Sequence, residues 1–350
     1  MPVARVDEHE LLRFASAIFE AVGVPPEHAR VVAENLVQGE MHGLASHGVS
    51  RLLRVYAERF AGGGINPRPD ITVIHQDRGC ALLDGDDGPG AVVGRQAMRL
   101  AIELARVHGS GWVAVRTSSH YGAAFLFARL AMQEGMIGFS STNTVVQVAP
   151  SGGRQKMLGT NPICIAVPGG ERGPIILDMA TSQTARGKIQ VAAIDGKPIP
   201  LGWAVDRDDQ PTTDPEEAWR LLPLGGYKGY GLALVMEILS AVIAGAMVGN
   251  QVGEMFNHPS THQRIGHIFG ALDLSAFGPL EGFRARMDAL VGYIKSCELE
   301  AGSKEVLLPG ELEARAAERA RREGIPLSED VYAIMGRLAS EYGVAPLSTR

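Results

Sequence analysis

The chain has 350 residues, of which 45% are hydrophobic and 21% charged, and its formal net charge is −6. This composition is that of an ordinary globular protein and excludes a disordered or fibrous chain. Because a single hydrophobic core stops growing at roughly 250–300 residues, we expect two domains. No extended basic patch is present, which argues against nucleic acid as a partner.

Cysteine usage and the first residues indicate the compartment. Cys80, Cys164 and Cys297 are widely spaced, odd in number and without a CxxC pair, which predicts free thiols in a reducing, cytoplasmic setting. The first ten residues lack the apolar core and small-residue cleavage site of a secretory signal. We therefore expect a cytoplasmic protein.

One segment, residues 229–249, has the length and apolar character of a membrane span. Glu237 lies near its middle, and a charge at the centre of a bilayer costs at least ~2.5 kcal/mol. We therefore expect no membrane association. The segment is instead predicted to be a central helix buried on most sides, as at a subunit interface.

The N-terminal residues up to about 61 place apolar side chains at helical spacing, and two turns divide them into three predicted helices. The stretch 43–51 (GLASHGVSR) stands at the entry to the third helix. It contains Ser46, His47 and Arg51: histidine can carry a proton near neutral pH, arginine can hold a carboxylate by two parallel hydrogen bonds, and serine can orient the ring. The alternative is a set of ordinary surface residues beside a helix.

The next stretch contains a possible dinucleotide-binding turn. Glycines and prolines at 62–69 predict a linker, followed by two short strands at 71–74 and 80–83. Residues 84–90 (DGDDGPG) precede a helix predicted for 91–107, which is the setting of a dinucleotide fingerprint. Since the third glycine comes one residue late for GxGxxG, we interpret the segment as a turn and helix cap.

A second histidine follows a strand. The strand predicted for 112–116 leads into His120 and then a helix over 123–133, so His120 could face a cleft or be a satisfied loop residue. Another strand, over 136–141, ends in a polar cluster at 142–144 that could present hydroxyls and an amide to a ligand. Many short strands divided by Gly and Pro turns predict a sheet of antiparallel or mixed neighbours.

Asp178 and Lys228 are charged residues at the ends of apolar segments. Asp178 interrupts a strand predicted for 175–179, and a carboxylate there is rarely buried without a partner. It could cap the segment from Ala180 onward, orient a histidine or accept a ribose hydroxyl. Lys228 precedes a long helix, whose dipole disfavours a cation at its start, and a phosphate there would satisfy the lysine and the free N–H groups.

The remaining chain gives no indication of a metal site. His258 and His262 flank a proline in a turn-like sequence, so they do not share a helix face as a zinc helix would require. We therefore expect no metal. The sequence predicts one further strand over 263–272, helices over 282–297 and 311–323, and a last helix from 328 to 338.

Seven short motifs link these predictions to a family. They are 46–51 (SHGVSR), 119–122 (SHYG), 158–162 (LGTNP), 177–182 (LDMATS), 202–204 (GWA), 228–231 (KGYG) and 309–311 (PGE). In this order and spacing the chain resembles the malate/L-lactate dehydrogenase family of the non-Rossmann type over nearly its whole length. That family includes ureidoglycolate and sulfolactate dehydrogenases, diketogulonate reductase and piperideine-2-carboxylate reductase.

The resemblance implies an α/β (α+β) fold. A non-Rossmann, mixed or antiparallel sheet domain would bind NAD or NADP in an extended form and pack on a helical domain formed by both termini. The corresponding division is a helical N-terminal part at 1–64, a cofactor and substrate domain at 70–280, and a helical C-terminal part at 281–350. The resemblance also implies a homodimer with the active site near the subunit interface.

Carried over by position, the resemblance makes His47 the proton donor to a substrate carbonyl or imine. Ser46 and Asp178 would be its relay and orienting partners. His120 matches the acid/base position of some members, so the two histidines compete for this role.

The resemblance also implies the binding residues. Arg51 would hold the carboxylate of a small carboxylate substrate, with Tyr56 in the same helix as a further contact. The positions that match cofactor-contacting stretches are Thr144, Asp178, Met179, Ala180, Thr181, Ser182, Gln183, Tyr227, Lys228, Gly310 and Glu311.

The expected activity is NAD(P)-dependent interconversion of a small 2-oxo acid and a 2-hydroxy acid by hydride transfer. The alternative within the family is NAD(P)H-dependent reduction of a cyclic imine. A serine hydrolase triad is a rival reading, but Ser46 and His47 are adjacent and no GxSxG elbow occurs. A cofactor-binding module without catalysis is a third alternative, because fold alone does not fix function.

Overall fold

The computed structural model describes residues 3–194 and 196–350. Helices and strands alternate irregularly along it, with short 3₁₀ turns between them. The strands are β1 Val3–Val6, β2 Thr72–Asp77, β3 Cys80–Gly88, β4 Ser110–Ser118, β5 Met136–Thr142, β6 Ile163–Val167, β7 Ile175–Met179, β8 Ala204–Val205, β9 Pro211–Thr212, β10 Arg220–Leu221, β11 Ile265–Asp273 and β12 Ile325–Ser328. The helices are α1 Glu8–Ala21, α2 Pro26–Met41, α3 Val49–Ala61, α4 Gly90–His108, α5 Phe125–Gln133, α6 Arg186–Ile194, α7 Tyr227–Glu237, α8 Leu280–Lys295, α9 Glu311–Glu323 and α10 Glu329–Tyr342.

The main sheet has seven strands in the order β2-β3-β4-β11-β5-β6-β7. Only β3 and β4 run parallel, joined by the α4 crossover, and all other neighbours are antiparallel. A Rossmann sheet is mostly parallel and binds its ligand where the strand order reverses. The predicted fold class, a mixed non-Rossmann sheet with helices, is confirmed.

Glycines in α4 allow it to pack closely on the sheet side. A Cβ on Gly94 would lie 2.7 Å from the Phe127 ring of α5, and the backbone N–H of Gly90 donates to Ser119 Oγ at 3.1 Å. β3 continues through Gly88, so residues 84–88 are strand rather than turn. The glycines here therefore serve the packing of α4 against its neighbours.

The two ends of the chain form one helical layer. β1 and β12 pair antiparallel, with Val6 opposite Ile325. The buried core of this layer combines Leu11 and Leu52 with Ile325 and Leu338. Three N-terminal helices were predicted and three are present, at α1, α2 and α3. The domain limits at 1–64, 70–280 and 281–350 stay a prediction.

Helix α6 and strands β8, β9 and β10 form a small lobe. Its strands pair in the order β10-β8-β9, and α6 packs on them. Ile189, Ile199, Ala204 and Leu221 form its apolar core. The lobe therefore has a core separate from that of the main sheet.

Residues 229–249 keep one side exposed within this chain, so their burial at a subunit interface stays a prediction. The segment is α7 followed by a π turn at Ile238–Val242. Val235 is 47% exposed and Val242 57%, because only one side of the segment packs on the sheet. Among the described residues, no helix is long and apolar enough to cross a membrane.

Candidate active site

A buried carboxylate fixes the turn that carries Ser46 and His47. The turn is a 3₁₀ helix at Ala45–His47, and α3 starts two residues later. Glu40 accepts hydrogen bonds from the N–H of Ser50 at 2.9 Å and from its hydroxyl at 2.7 Å. Glu40 thus satisfies an otherwise free donor at the start of α3. Burial raises the pKa of this carboxyl group.

Two imidazole rings stack beside this turn. The ring centroids of His47 and His120 are 5.9 Å apart and the planes differ by 17°. Ser46 Oγ lies 3.0 Å from His47 Nδ1, and Tyr56 donates or accepts at His120 Nδ1 across 2.6 Å. In the described part of the chain neither Nε2 has a hydrogen-bond partner. Each ring is therefore oriented through Nδ1 and keeps Nε2 available.

The backbone selects one tautomer of His120. The N–H of Gly122 donates to His120 Nδ1 at 3.3 Å, and a backbone N–H can only donate. Neutral His120 therefore accepts at Nδ1 and carries its proton on Nε2. His47 is not restricted in this way, because the Ser46 hydroxyl can donate or accept.

Burial makes both histidines weak bases. It lowers the pKa of His47 to about 4, with a further contribution from the Arg51 charge. Burial, then His47 and Arg51, hold the pKa of His120 well below its usual value. At neutral pH both rings are neutral, so His47 with its proton on Nδ1 can accept a proton from a hydroxyl group at Nε2, and the imidazolium formed is a strong acid.

Arg51 lies next to this pair with its charge uncompensated. Its Nη1 donates to Ser46 O at 3.1 Å and its Nη2 to Gln190 Oε1 of α6. The Phe256 ring centroid is 4.7 Å from Cζ. None of the described carboxylates forms an ion pair with Arg51. The guanidinium is thus held in place and still lacks an anion.

Helix α6 closes the site from the small lobe. A Cβ on Gly187 would lie 2.8 Å from both Arg51 Nη1 and Ser46 Cβ. Only glycine permits this approach without displacing the neighbours. Because α6 follows residues 178–185 directly, it connects the predicted cofactor stretch with the histidine pair.

Asp178 does not contact His47, so the predicted relay contact is not formed. Its Oδ2 accepts a hydrogen bond from the N–H of Phe125 at 2.8 Å. It therefore caps α5 and not the segment after Ala180, because the turn from His120 brings the start of α5 to the end of β7. The side chain keeps an exposed surface, yet the surrounding protein atoms raise its pKa to about 6, and Glu313 contributes.

Several predicted cofactor positions meet at the end of edge strand β7. Met179 is its last residue, and Thr181 bonds Thr160 O through its N–H and its hydroxyl, both at 2.9 Å. Thr160 N–H in turn donates to Thr144 Oγ1 at 3.0 Å. A Cβ on Gly229 would lie 2.7 Å from Thr181 O. The start of α7 is thereby packed onto the β7 stretch.

The other residues of this stretch point to different neighbours. Ala180 follows β7, Ser182 donates to Thr184 O at 2.7 Å, and Gln183 is exposed with its N–H on Leu222 O at 2.8 Å. These bonds tie the stretch to the segment leading into α7.

Tyr227 and Lys228 form the first turn of α7, and both are exposed. Among residues 3–194 and 196–350, Lys228 has no ion-pair partner. Gly310, with φ +92°, lies against β7, where a Cβ would be 3.1 Å from Ile176 Cβ. Glu311 is already paired with Lys295 at 2.6 Å. Lys228 thus lies near the carboxyl end of β7 without an ion-pair partner among the described residues. Glu311 lies near the other end of β7, and its carboxylate is already paired with Lys295.

A second buried carboxylate positions Thr144. Asn161 accepts from the N–H of Thr144 at 3.1 Å, and its Nδ2 donates to Glu237 Oε2 at 2.6 Å. Glu237 is 4% exposed and also accepts from Gly249 N at 2.8 Å. The sequence flagged Glu237 only as a charge incompatible with a membrane span.

Within residues 3–194 and 196–350, no group of three or more His, Cys, Asp or Glu is arranged to hold a metal ion. His267, which follows His258 and His262 in the chain, bonds Thr142 at 2.8 Å and Ser118 at 2.9 Å. This histidine therefore has a structural role inside the sheet.

The family model described as malate/L-lactate dehydrogenase matches residues 6–335. The chain belongs to this family. It is therefore an oxidoreductase, and the hydrolase and the non-catalytic binding module are excluded as its class. The resemblance read from the seven motifs is confirmed.

Two curated relatives and one solved structure illustrate the family. A malate dehydrogenase of Pyrococcus abyssi is 40% identical over 98% of this chain and 96% of its own. An L-sulfolactate dehydrogenase of Methanocaldococcus jannaschii is 42% identical over 93% of this chain and 94% of its own. The structure of malate dehydrogenase from Pyrococcus horikoshii superposes with a TM-score of 0.91 at 35% identity, covering 99% of this chain and 97% of that one.

Proposed function

We propose that the protein is an NAD(P)-dependent dehydrogenase that interconverts a small 2-hydroxy acid and the corresponding 2-oxo acid. The observation that carries the proposal is the histidine pair, each ring held at Nδ1, beside the unpaired Arg51. This combination supplies a proton carrier next to a carboxylate-binding cation. The names of the relatives, malate and sulfolactate dehydrogenases, support this substrate class.

Arg51 binds the substrate carboxylate in this proposal. Ser46 O and Gln190 hold its guanidinium, and Phe256 covers one face. A planar, preoriented fork forms two parallel bonds to a carboxylate and so fixes C2 relative to the histidines. Tyr56 acts through His120, because its hydroxyl is bonded to that ring.

His47 is the proton carrier in this proposal. In oxidation its neutral ring takes the hydroxyl proton while the hydride leaves C2, and in reduction the imidazolium returns the proton to the carbonyl oxygen. The Ser46 hydroxyl accepts the Nδ1–H of His47 in both states, which leaves Nε2 of the neutral ring free to take the hydroxyl proton and, once protonated, to return it. His120 cannot be protonated at Nδ1 without losing the Gly122 N–H bond, so it donates its Nε2–H to the substrate oxygen.

The residues at the carboxyl end of β7 and the start of α7 offer groups that suit a dinucleotide. When bound, the nicotinamide accepts or supplies the hydride. The exposed Asp178 carboxylate can accept ribose hydroxyls, and the unpaired Lys228 at the start of α7 can bind phosphate together with free backbone N–H groups. Relatives named for NAD(+), a ureidoglycolate dehydrogenase, and for NADP(+), a sulfolactate dehydrogenase, support either cofactor.

We also propose a homodimer formed through the exposed face of α7 and its π turn, and a cytoplasmic location. Val235, Ile238, Val242 and Ile243 are each more than 40% exposed, and a contiguous apolar patch of this kind marks an association surface. Free thiols at exposed positions suit a reducing compartment. Light scattering tests the dimer, and Val242→Glu is expected to give monomers.

The test of the proposed function is oxidation of NADH and NADPH with oxaloacetate, sulfopyruvate and piperideine-2-carboxylate, followed by the absorbance of reduced nicotinamide. Turnover of a 2-oxo acid is expected. The cyclic imine alternative is not favoured, since the piperideine-2-carboxylate reductase structure is only 29% identical. Turnover of the imine alone contradicts the proposal, and so does silence on all three.

A further inference from the structure

A buried cation on α3 has no anion beside it. Arg59 is 1% exposed, and its guanidinium donates to four backbone carbonyls: Glu254 at 3.0 Å, Met255 at 3.3 Å, Thr261 at 2.7 Å and Gly64 at 3.1 Å. None of the described carboxylates is within ion-pair distance. Burial of an unpaired charge is costly, so the carbonyl contacts must provide the compensation.

Three of these carbonyls belong to one segment, residues 254–263, which we name the clamp segment. It contains no helix or strand in this structure. The internal bond from Thr261 N to His258 O at 3.0 Å folds it into a turn. Arg59 is thus bonded near both ends of that turn, which sets the path of the segment across α3.

The clamp segment touches two residues of the proposed active site. Phe256 covers the Arg51 guanidinium, with 4.7 Å between Cζ and the ring centroid. Gln263 Oε1 accepts a hydrogen bond from the N–H of His120 at 3.1 Å. Arg59 and Arg51 lie eight residues apart on one helix, so the same helix binds the substrate anion and the segment that covers it.

We propose that Arg59 is a positioning residue for substrate binding. Its bonds to the clamp segment hold Phe256 over Arg51 and Gln263 against His120. The face of Arg51 that Phe256 covers is shielded from water, which strengthens the bond to a substrate carboxylate at its edge. This inference rests on the proposed function for its kinetic readout, whereas its structural readout is independent of activity.

The structural readout is hydrogen exchange of two amides that depend on the path of the clamp segment: Thr261 N–H, which donates to His258 O inside the turn, and His120 N–H, which donates to Gln263 Oε1. Arg59→Met keeps the length of the side chain and removes all its donors, so exchange of these two amides is expected to rise at least about tenfold, because their acceptors move with the released segment. Arg59→Lys keeps the charge and at most three donors, and an intermediate rise is expected. Arg54→Met is the matched control, because Arg54 lies on the exposed side of the same helix, paired with Glu58. Unchanged exchange in both Arg59 variants contradicts the proposal.

The kinetic readout is a double-mutant cycle with Phe256→Ala. Each single change is expected to raise KM for the 2-oxo acid about tenfold, and the double variant only about ten- to twentyfold, because both act on the same contact. If KM of the double variant rises about one hundredfold, the two single effects multiply. Arg59 then acts independently of Phe256, and the proposal is overturned. If Arg59→Met does not fold, Arg59→Lys replaces it in the cycle. If the wild type turns over none of the test substrates, the proposed function fails, and the exchange experiment still decides the role of Arg59.

Discussion

Replacing Arg51 with lysine tests whether the guanidinium is the carboxylate-binding group. Lysine keeps the charge but has one ammonium group in place of a planar fork. The native side chain spans from Ser46 O at 3.1 Å to Gln190 while its face packs on Phe256. An ammonium group cannot keep these anchors and also make two parallel bonds to a substrate.

The loss of one charge-assisted hydrogen bond is worth about 1.5–3 kcal/mol, so KM for the 2-oxo acid is expected to rise about 10- to 150-fold. The dissociation constant of reduced cofactor should not change, because Arg51 is not among the residues along β7. Steady-state kinetics with oxaloacetate and a fluorescence titration with NADH measure the two quantities.

Arg54→Lys is the control for this prediction. Its side chain is on the same helix, is exposed and pairs with Glu58, so its kinetics should match the wild type. An Arg51→Lys enzyme with unchanged KM, or with an equal loss of cofactor affinity, would refute the carboxylate assignment.

Four further substitutions test other residues. His47→Asn should lower kcat about 10²- to 10⁴-fold and His120→Asn distinctly less, with cofactor affinity unchanged in both; the reverse order would make His120 the proton carrier. The pKa of Asp178 is raised to about 6, and an ionised carboxylate is a stronger hydrogen-bond acceptor than a protonated one. Cofactor affinity of the wild type should therefore rise from pH 5 to 7, whereas that of Asp178→Asn should stay constant. If Asp178→Asn keeps the pH dependence, Asp178 does not bind the ribose. Burial lowers the pKa of His267 to about 3, whereas the pKa of an unfolded histidine is about 6.5. Between these two values the unfolded chain binds a proton that the folded chain does not. The free energy of unfolding therefore falls as the pH falls through this range. Urea unfolding of His267→Gln should therefore lose about 2 kcal/mol less than the wild type between pH 7.5 and 5, and an equal loss would show that His267 does not titrate on unfolding.

The local sequence pattern was sufficient to predict most of the helices and strands. β7 begins and ends where the sequence predicts, at 175–179, because it is a short apolar run that follows Gly173 and Pro174. The strand order could not be predicted from local signals, since β11 inserts between β4 and β5 from far along the chain. The apolar content of residues 229–249 indicated burial, and pattern alone cannot tell a core face from a face left for another subunit.

The sequence identified the site residues that carry reactive groups. It did not identify the residues that hold those groups in place. The family motifs located the two histidines and Arg51, whereas Gln190 and Phe256, which contact Arg51, lie in ordinary sequence. Gln190 is 139 residues away from Arg51, so no spacing rule connects them. The structure shows neither a contact of Asp178 with His47 nor a cap on the segment after Ala180, because the sequence does not reveal that α5 starts at the end of β7; the ribose role of Asp178 stays a prediction.

The pairing of β1 with β12 has a consequence for synthesis. The helices α1, α2 and α3 present an apolar surface that is covered only when Ile325, Leu327 and Leu338 arrive, long after the ribosome has made them. Domains usually fold from the N-terminus as they emerge, but here the first segment made is among the last to be completed. During translation its uncovered surface is a natural binding site for chaperones, and a chain truncated before β12 should be rapidly degraded even though every residue of the proposed active site is present.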